Sequence, residues 1–510
     1  MSLTFAILQI TINSQTLHAQ TDGTLDNSFG TAGKVTTSIG NQDAVAYSVA
    51  LQADGKIVAA GWSYTNGIYN IISVTRYKTN GNIDSTFGTA GIAFGPATNY
   101  SDAYATAIQT DGKILVAGFT ENGSDNDFVL LRFNTDGTLD NTFGTAGATS
   151  TDFGSVEDRA FAMAVQTDGK IVLAGQMGNG SNLDIALARY NTNGTLDNTF
   201  GIGGKLSKAI GSGDDVANCI AIQADGKIVI GGYSWNGLNY DMAVLRYSNL
   251  GVLDNTFGTN GVIIKDIGST DNYAYALALQ TDSKIVVAGT ATLATGDFSV
   301  VRLNSNGGLD NTFGTNGVVT TDFNGLNDEA RAVIIQGNGK IVLAGFSSIS
   351  GSNIDIALTR YESNGTLDNT FGINGKVTTP VGNSNDWAYA MLLQTDAKIV
   401  VAGNILNDLG TDDIALVRYY VSPTNVNDIH AENENISIYP NPAKNKISIQ
   451  TTFPSKENML SIYNTQGQLL YTKEMINNQL DLNIEKLAAG VYTLKITNSE
   501  STIIKKFIKE

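Results

Sequence analysis

The sequence predicts an all-β protein: a seven-bladed β-propeller of four-stranded blades, closed by the N-terminal strand and followed by a small β-sandwich. Three observations predict it. A unit recurs seven times at steps of 56 to 58 residues, each unit holds four short strand-like runs, and Gly is abundant (55) while Pro is scarce (6). A fixed period of this length marks an array of supersecondary units. Many tight turns with few ladder breakers suit strands joined by Gly, Asn and Asp.

The period is read from three markers. One is the Lys of "DGKIVxAG": Lys56, Lys113, Lys170, Lys227, Lys284, Lys340 and Lys398. The second is the Phe of "LDNTFG": Phe29, Phe87, Phe143, Phe200, Phe257, Phe313 and Phe371. The third is the Arg of "ALxRY": Arg76, Arg132, Arg189, Arg246, Arg302, Arg360 and Arg418. In the third unit the strand-like runs are "RAFAMAVQ" (159–166), "KIVLAG" (170–175), "IALARY" (185–190) and "GKLSKAI" (204–210). Turn signals separate them. Four strands per unit fit a propeller blade; the competing parallel β-helix usually has much shorter coils.

The array opens on "DGTLDNSFGTAGKVTTS" and stops at "IALVRYY" (414–420), with no eighth "LDNTFG". The last blade therefore lacks its outer strand, which "GKVTTS" (33–38) can supply, removing exposed sheet edges. In the repeated phrase, Leu and Phe read as anchors, Asp as a cap on local N–H groups, and Gly as the holder of a backbone shape other residues resist. A calcium loop is the alternative, but the spacing matches neither an EF-hand nor a nonapeptide calcium repeat.

Composition excludes several functions. The net charge is -17, and residues from 421 onward balance 9 Lys against 9 acids, so the excess lies in the repeats. An acidic body is a poor nucleic-acid binder. The two His, His18 and His430, flank the repeats, and Cys219 is the only Cys. Ser-His-Asp and Cys-His catalysis and His-ligated zinc are thereby excluded from the repeats. No stretch is long enough for a transmembrane helix. The start, "MSLTFAILQITINSQTLHAQ", reads as a signal peptide (1–20) without its usual basic beginning.

The unit "LDNTFGTAGKV…AxALQxDGKIVxAG…DxALxRYNTNG" resembles the delta-60-repeat β-propeller family over residues 21–420. The order of elements also looks like NHL-type propellers, which mostly bind partners. The resemblance implies no settled activity. After a linker (421–435), residues 436–510 resemble the type IX secretion C-terminal sorting domain of Bacteroidota. Tyr439-Pro440-Asn441-Pro442, Gly490-Val491-Tyr492 and the basic finish at Lys505, Lys506 and Lys509 carry that likeness. It implies recognition by the type IX machinery and a secreted or outer-membrane-surface location, reached through the periplasm.

Parity places the functional face. In a four-strand meander the a–b and c–d turns share one end, and these are nearly constant. The b–c and d–a connections share the other and vary, as in "WSYTNGIYN" (62–70), "YSWNGLNYD" (233–241) and "TATLATGD" (290–297). Loops on a rigid scaffold are where binding residues concentrate. The candidate ligand contacts there are Trp235 inside its loop with Tyr233 and Tyr240, Trp62 near Tyr64 and Tyr69, and Trp387 at the start of a strand. Such aromatics suit sugar rings or protein partners; the competing role is packing at the blade rim.

The same face carries acids before strand a (Asp43, Asp102, Asp158, Asp215, Asp271, Asp328, Asp386) and before strand c (Asp127, Asp184, Asp241, Asp297, Asp355, Asp413), where Ile71 breaks the series. Capping and blade spacing explain this regularity; calcium is the alternative for the first series. No cofactor is otherwise implied. The favoured function is a binding module for polysaccharide or protein. A carboxylate-based glycosidase or lyase and a purely structural surface or adhesion protein are the alternatives. An enzyme would need an acid pair set apart from its symmetry mates.

Overall fold

The structure is a computed structural model and describes residues 21–40, 42–65, 69–96, 99–154, 157–268, 270–350, 353–421, 436–451, 458–463, 469–475, 479–488, 490–497 and 502–510. The expected signal peptide and nearly all of the expected linker lie outside them. The chain divides into two compact units, Met1–Pro423 and Thr424–Glu510.

In the first unit the described residues build only β-sheets, each antiparallel, four-stranded and in meander order. The third repeat is typical: Arg159–Val165, Ile171–Gly178, Leu183–Tyr190 and Lys205–Lys208 pair in sequence order. The strand Lys34–Thr37 breaks chain order and pairs with Asp412–Tyr419 in register Lys34↔Val417. This is the outer strand that the C-terminal end of the array lacks.

Apolar side chains from adjacent sheets form the core. Val172, Leu187 and Phe200 of one repeat pack with Ala217, Ile230 and Leu245 of the next. A like cluster joins the first and last sheets, with Ala46, Ile57 and Ala59 against Val400, Ala402 and Leu416. The second strands read as continuous apolar runs because both of their faces are covered.

The three sequence markers converge on one point in every repeat. The Asp of "LDNTFG" (Asp140, for example) accepts an ion pair from the marker Arg at 2.6 to 2.9 Å and from the marker Lys at 2.7 to 3.6 Å. The Arg guanidinium lies 4.4 to 4.8 Å from the centre of the marker Phe ring. The same Asp caps the turn, as when Asp140 accepts from the amide and hydroxyl of Thr142 at 3.0 and 2.7 Å. The last such node joins the two ends of the array through Arg418, Lys398 and Asp26. The repeated phrase is therefore a joint, and its carboxylate is already neutralised by two cations. The seven node Arg and six of the seven node Asp are buried, Asp254 being half-buried, so these are not exposed surface pairs of modest worth.

The second unit is a β-sandwich. One sheet contains Ile436–Tyr439, Lys446–Thr451 and Gln479–Asn483; the other orders Leu469–Met475, Asn458–Tyr463, Gly490–Thr497 and Thr502–Lys509. Ile447, Ile449 and Leu482 from one sheet meet Leu460, Leu494 and Phe507 from the other. Tyr492 stacks on Phe507 at 5.5 Å, and its hydroxyl donates to the Ala488 carbonyl at 2.7 Å. The Tyr439–Pro440 and Asn441–Pro442 bonds are cis, and the Asn441 side chain accepts from the Ile508 amide at 2.8 Å. Lys505 is exposed on the last strand.

Candidate ligand face

The varied connections are mostly strand rather than loop. Trp235 ends the strand Ile228–Trp235, Tyr240 begins Tyr240–Tyr247, and the two are register partners. This corrects the reading of Trp235 as a loop residue. Only Asn236–Asn239 make the turn, held by the Asn236 side chain accepting from the Leu238 and Asn239 amides. Trp62, Tyr64 and Tyr69 likewise stand on paired strands, Ile57–Thr65 and Tyr69–Tyr77. Asn-rich hairpin turns let the ladder run past the point where apolar alternation ends.

Tyr233, Trp235 and Tyr240 do come together, and Tyr273 joins them. Trp235 and Tyr233 stand 5.0 and 5.1 Å from Tyr240, and Tyr273 lies 5.0 Å from Tyr233. The cluster spans two neighbouring sheets. Tyr240 donates to Asp214 at 3.2 Å. Burial raises the Tyr233 hydroxyl well above its usual range, with the charges of Tyr275, Tyr240 and Asp214 adding to it. Of the proposed contacts, Tyr69 is the most open, 41% exposed; Trp62, Tyr64, Tyr233, Trp235, Tyr240 and Trp387 are half-buried. Trp387 sits on the last sheet's first strand, paired with Asn404.

A second set was not recognised in sequence. Every first strand contains a β-bulge, and the bulged residues are Tyr47, Tyr104, Phe161, Asn218, Tyr275, Arg331 and Tyr389. A bulge re-aims the extra side chain. These side chains meet from sheet to sheet: Tyr389 to Tyr47 at 4.8 Å, Tyr47 to Tyr104 at 5.0 Å, Tyr104 to Phe161 at 5.2 Å and Arg331 over Tyr275 at 3.8 Å. Asn218 donates to the Ala274 carbonyl at 2.9 Å. All seven are half-buried. Their sequence signal was present: a large, changing residue between two small ones, as in "AYA", "AFA", "ANC" and "ARA".

Seven of the nine Arg in the chain are node residues; the other two, Arg159 and Arg331, lie on these first strands. Arg159 stacks over Phe119 at 4.7 Å and pairs with Glu157 at 3.0 Å. Arg331 stacks over Tyr275 and pairs with Glu329. The Nε of each is buried without a hydrogen-bond partner. These are charged pairs that the repeat does not copy.

The first acid series does not share one register. Measured from the bulge, Asp158, Asp215, Asp328 and Asp386 stand three residues earlier, Asp102 two, and Asp43 and Asp271 four. Asp43 and Asp271 instead accept from the Asp412 and Tyr240 amides of the preceding sheet, both at 2.9 Å. Asp215 and Asp386 cap their own strand entry through the Ile210 and Val381 amides. Connections that differ by one residue move an acid to another position while the sequence pattern looks unchanged. The second series does keep one register opposite the second strands.

Two groups of three acids gather on this face: Asp127, Asp152 and Asp158, and Asp297, Asp322 and Asp328. Burial pushes Asp328 up to about 6; the hydrogen bond from the Phe323 amide opposes this, and the charges of Asp322 and Asp297 reinforce it. Burial also raises Asp102 to about 6, against hydrogen bonds from Asn70 and Tyr100.

The repeats and tail match known families. Residues 52–87, 109–143, 166–200, 223–257, 280–313 and 336–371 match the "Domain of unknown function (DUF5122) beta-propeller", and residues 437–510 match the "Secretion system C-terminal sorting domain". The chain is thus an all-β protein of propeller repeats with a type IX sorting tail, exported and either secreted or held at the outer-membrane surface. Six of its repeats match the DUF5122 β-propeller model, the kinship expected from the repeated phrase. The remaining sheet takes its strands from both ends of the array, so no contiguous stretch presents its repeat. No helix among the described residues is long and apolar enough to cross a membrane.

A comparison with curated proteins gave no match. Among solved structures, PorZ is described as an essential bacterial surface component of the type IX secretion system of Porphyromonas gingivalis. It is 12% identical over 93% of this chain, with a TM-score of 0.38, and this chain spans 60% of its length. The polysaccharide lyase Uly1 is 13% identical, with 78% of this chain and 97% of that one covered and a TM-score of 0.44. Extracellular domains 1–2 of Drosophila Semaphorin 1b are 9% identical, with 74% and 87% covered and a TM-score of 0.33.

Proposed function

We propose that residues 21–420 form a closed seven-bladed β-propeller that binds a polysaccharide on its varied face. Residues 436–510 deliver it through the type IX machinery, with Tyr439-Pro440-Asn441-Pro442, Gly490-Val491-Tyr492, Lys505 and Lys506 as the recognised features. Closure is supported by the pairing of Lys34–Thr37 with the last sheet and by the cluster shared between the first and last sheets. The bulge residues then line the axis.

One observation carries the ligand reading. The aromatic contacts from Tyr389 through Phe161, the Tyr233–Trp235–Tyr240–Tyr273 cluster and the two unrepeated Arg gather on the inner strands and the varied end. Flat ring faces beside charged hydrogen-bonding groups fit sugar rings, whose C–H faces are apolar and whose rims are polar. A glycan array probed with the full chain tests this. Binding to one glycan class, weakened by Trp235→Ala, is the expected result; no binding to any polysaccharide overturns it.

A second reading has its own observation. Glu157 and Glu329 each pair with one of the two unrepeated Arg, near the aromatic rings, which suits a carboxylate-based glycosidase or lyase. Release of new chain ends from a bound polysaccharide, abolished by Glu329→Gln, distinguishes it from binding alone.

A further inference from the structure

The geometry points to two calcium sites at equivalent sheet junctions, one formed by Asp127, Asp152 and Asp158 and the other by Asp297, Asp322 and Asp328. Each takes one acid from a third strand, one from just after the outer strand, and one from the entry to the next sheet's first strand. In both, one oxygen from each carboxylate lies within 4.8 Å of the others.

Crowding alone does not define a site, because carboxylates cluster on many surfaces. The second observation is burial without a partner. Asp127 is 6% exposed, Asp297 8% and Asp328 0%, and the Oδ1 atom of each is buried with no hydrogen bond. Among the described residues, none of Asp127, Asp152, Asp297, Asp322 and Asp328 is ion-paired to a Lys or Arg. A buried carboxylate oxygen without a partner is costly, and a cation drawn between the three carboxylates would satisfy it. All the donors are hard oxygens, the set calcium prefers, with its remaining coordination available to water or backbone carbonyls.

The other junctions separate scaffold from site. Asp158 and Asp328 accept from the Phe153 and Phe323 amides at 2.7 and 2.8 Å, but Asp215 and Asp386 make the same cap. Lys205 and Lys376 donate to the Asp152 and Asp322 carbonyls, but Lys34 does the same to Pro380. Buried Oδ1 atoms without a hydrogen bond also occur on Asp184, Asp215, Asp241 and Asp413; the distinguishing feature is that, among the described residues, only at these two junctions does an acid after the outer strand bring three carboxylates together. At that position the other junctions carry Pro96, Ala209, Pro380 or Ser38, and where Asp266 occupies it the entry acid is replaced by Asn272.

This inference stands apart from the polysaccharide reading. Calorimetric titration of the metal-stripped full chain with calcium chloride tests it. Two calcium ions per chain are expected, one after Asp322→Asn, none after Asp152→Asn with Asp322→Asn, and two still after Asp266→Asn. Asp152 and Asp322 are exposed, and far-UV circular dichroism checks that the variants stay folded. Absence of binding at millimolar calcium, or undiminished binding in the folded double variant, overturns the assignment.

Discussion

At Asp140 two cations and a capped turn compete with the cost of burial. Burial raises the carboxyl, but hydrogen bonds from Lys113, Thr142 and Arg132 outweigh it and hold it well below the usual carboxylate range. Removing Arg132 leaves Asp140 with Lys113 as its one cation, at a cost of about 3 kcal/mol, the low end for a broken buried pair. Arg132→Met is therefore expected to lower unfolding free energy by about that amount in a denaturant titration, while replacing the exposed Lys446, paired with Asp481, changes little. On the varied face, Trp235→Ala removes one ring from a four-ring cluster. Loss of an aromatic among the few contacts that dominate binding costs about 1.4 kcal/mol or more, tenfold or more. The expected outcome is a roughly tenfold weaker glycan affinity with an unchanged melting temperature.

The element that ties the array together is the short strand Lys34–Thr37. Its partner, Asp412–Tyr419, is central in its sheet only while that strand is in place. Deleting residues 21–38 exposes an apolar edge and removes Asp26 from the Arg418 node. Size-exclusion chromatography is expected to show aggregation of the truncated chain, whereas the intact chain stays at one size. The turn of the repeated phrase is similarly intolerant. Gly88 has φ +52, and a Cβ there would lie 2.1 Å from the Ile92 carbonyl oxygen. Its amide also bonds the Asp136 carbonyl of the next repeat. Gly88→Ala is expected to lower the melting temperature by several degrees, through backbone strain and the lost inter-sheet bond.

Across the whole molecule, two populations of Asp respond oppositely to pH. Asp84 and Asp310 are held down at about 2, where burial is outweighed by hydrogen bonds from Thr86 and Thr312 and by Arg76 and Arg302. Their stabilisation is present above the ordinary value of 3.8 and is lost as pH falls through about 2. Asp102, raised to about 6 by burial, contributes stability that is full below 3.8 and is lost as pH rises through about 6. Metal-free protein is thus expected to reach its highest melting temperature near pH 4, falling steeply below and gently above; a scan across pH 2 to 7 checks this. A monotonic rise from pH 4 to 7 would contradict the assigned direction for Asp102.

Much of this architecture was legible before any coordinates. Repetition exposes strand positions, turn chemistry and the split unit, because the same local physics is stated seven times and chance cannot imitate it. The sorting tail was legible for a similar reason: its phrases are local. The node was only half legible, since Lys113, Arg132 and Asp140 were each marked as constant but their convergence depends on how strands fold back. The second aromatic set depended on bulges, which interrupt the period-two alternation and bring Tyr47 to Tyr104 and Arg331 to Tyr275. The first acid series was misread because connections one residue longer or shorter shift Asp102 and Asp271 out of register without altering the pattern of letters. Local repetition thus specifies the sheets and their joints. The groups that could meet a ligand or an ion are specified by contacts between sheets, where residues some 56 positions apart become neighbours and no short-range pattern records the meeting.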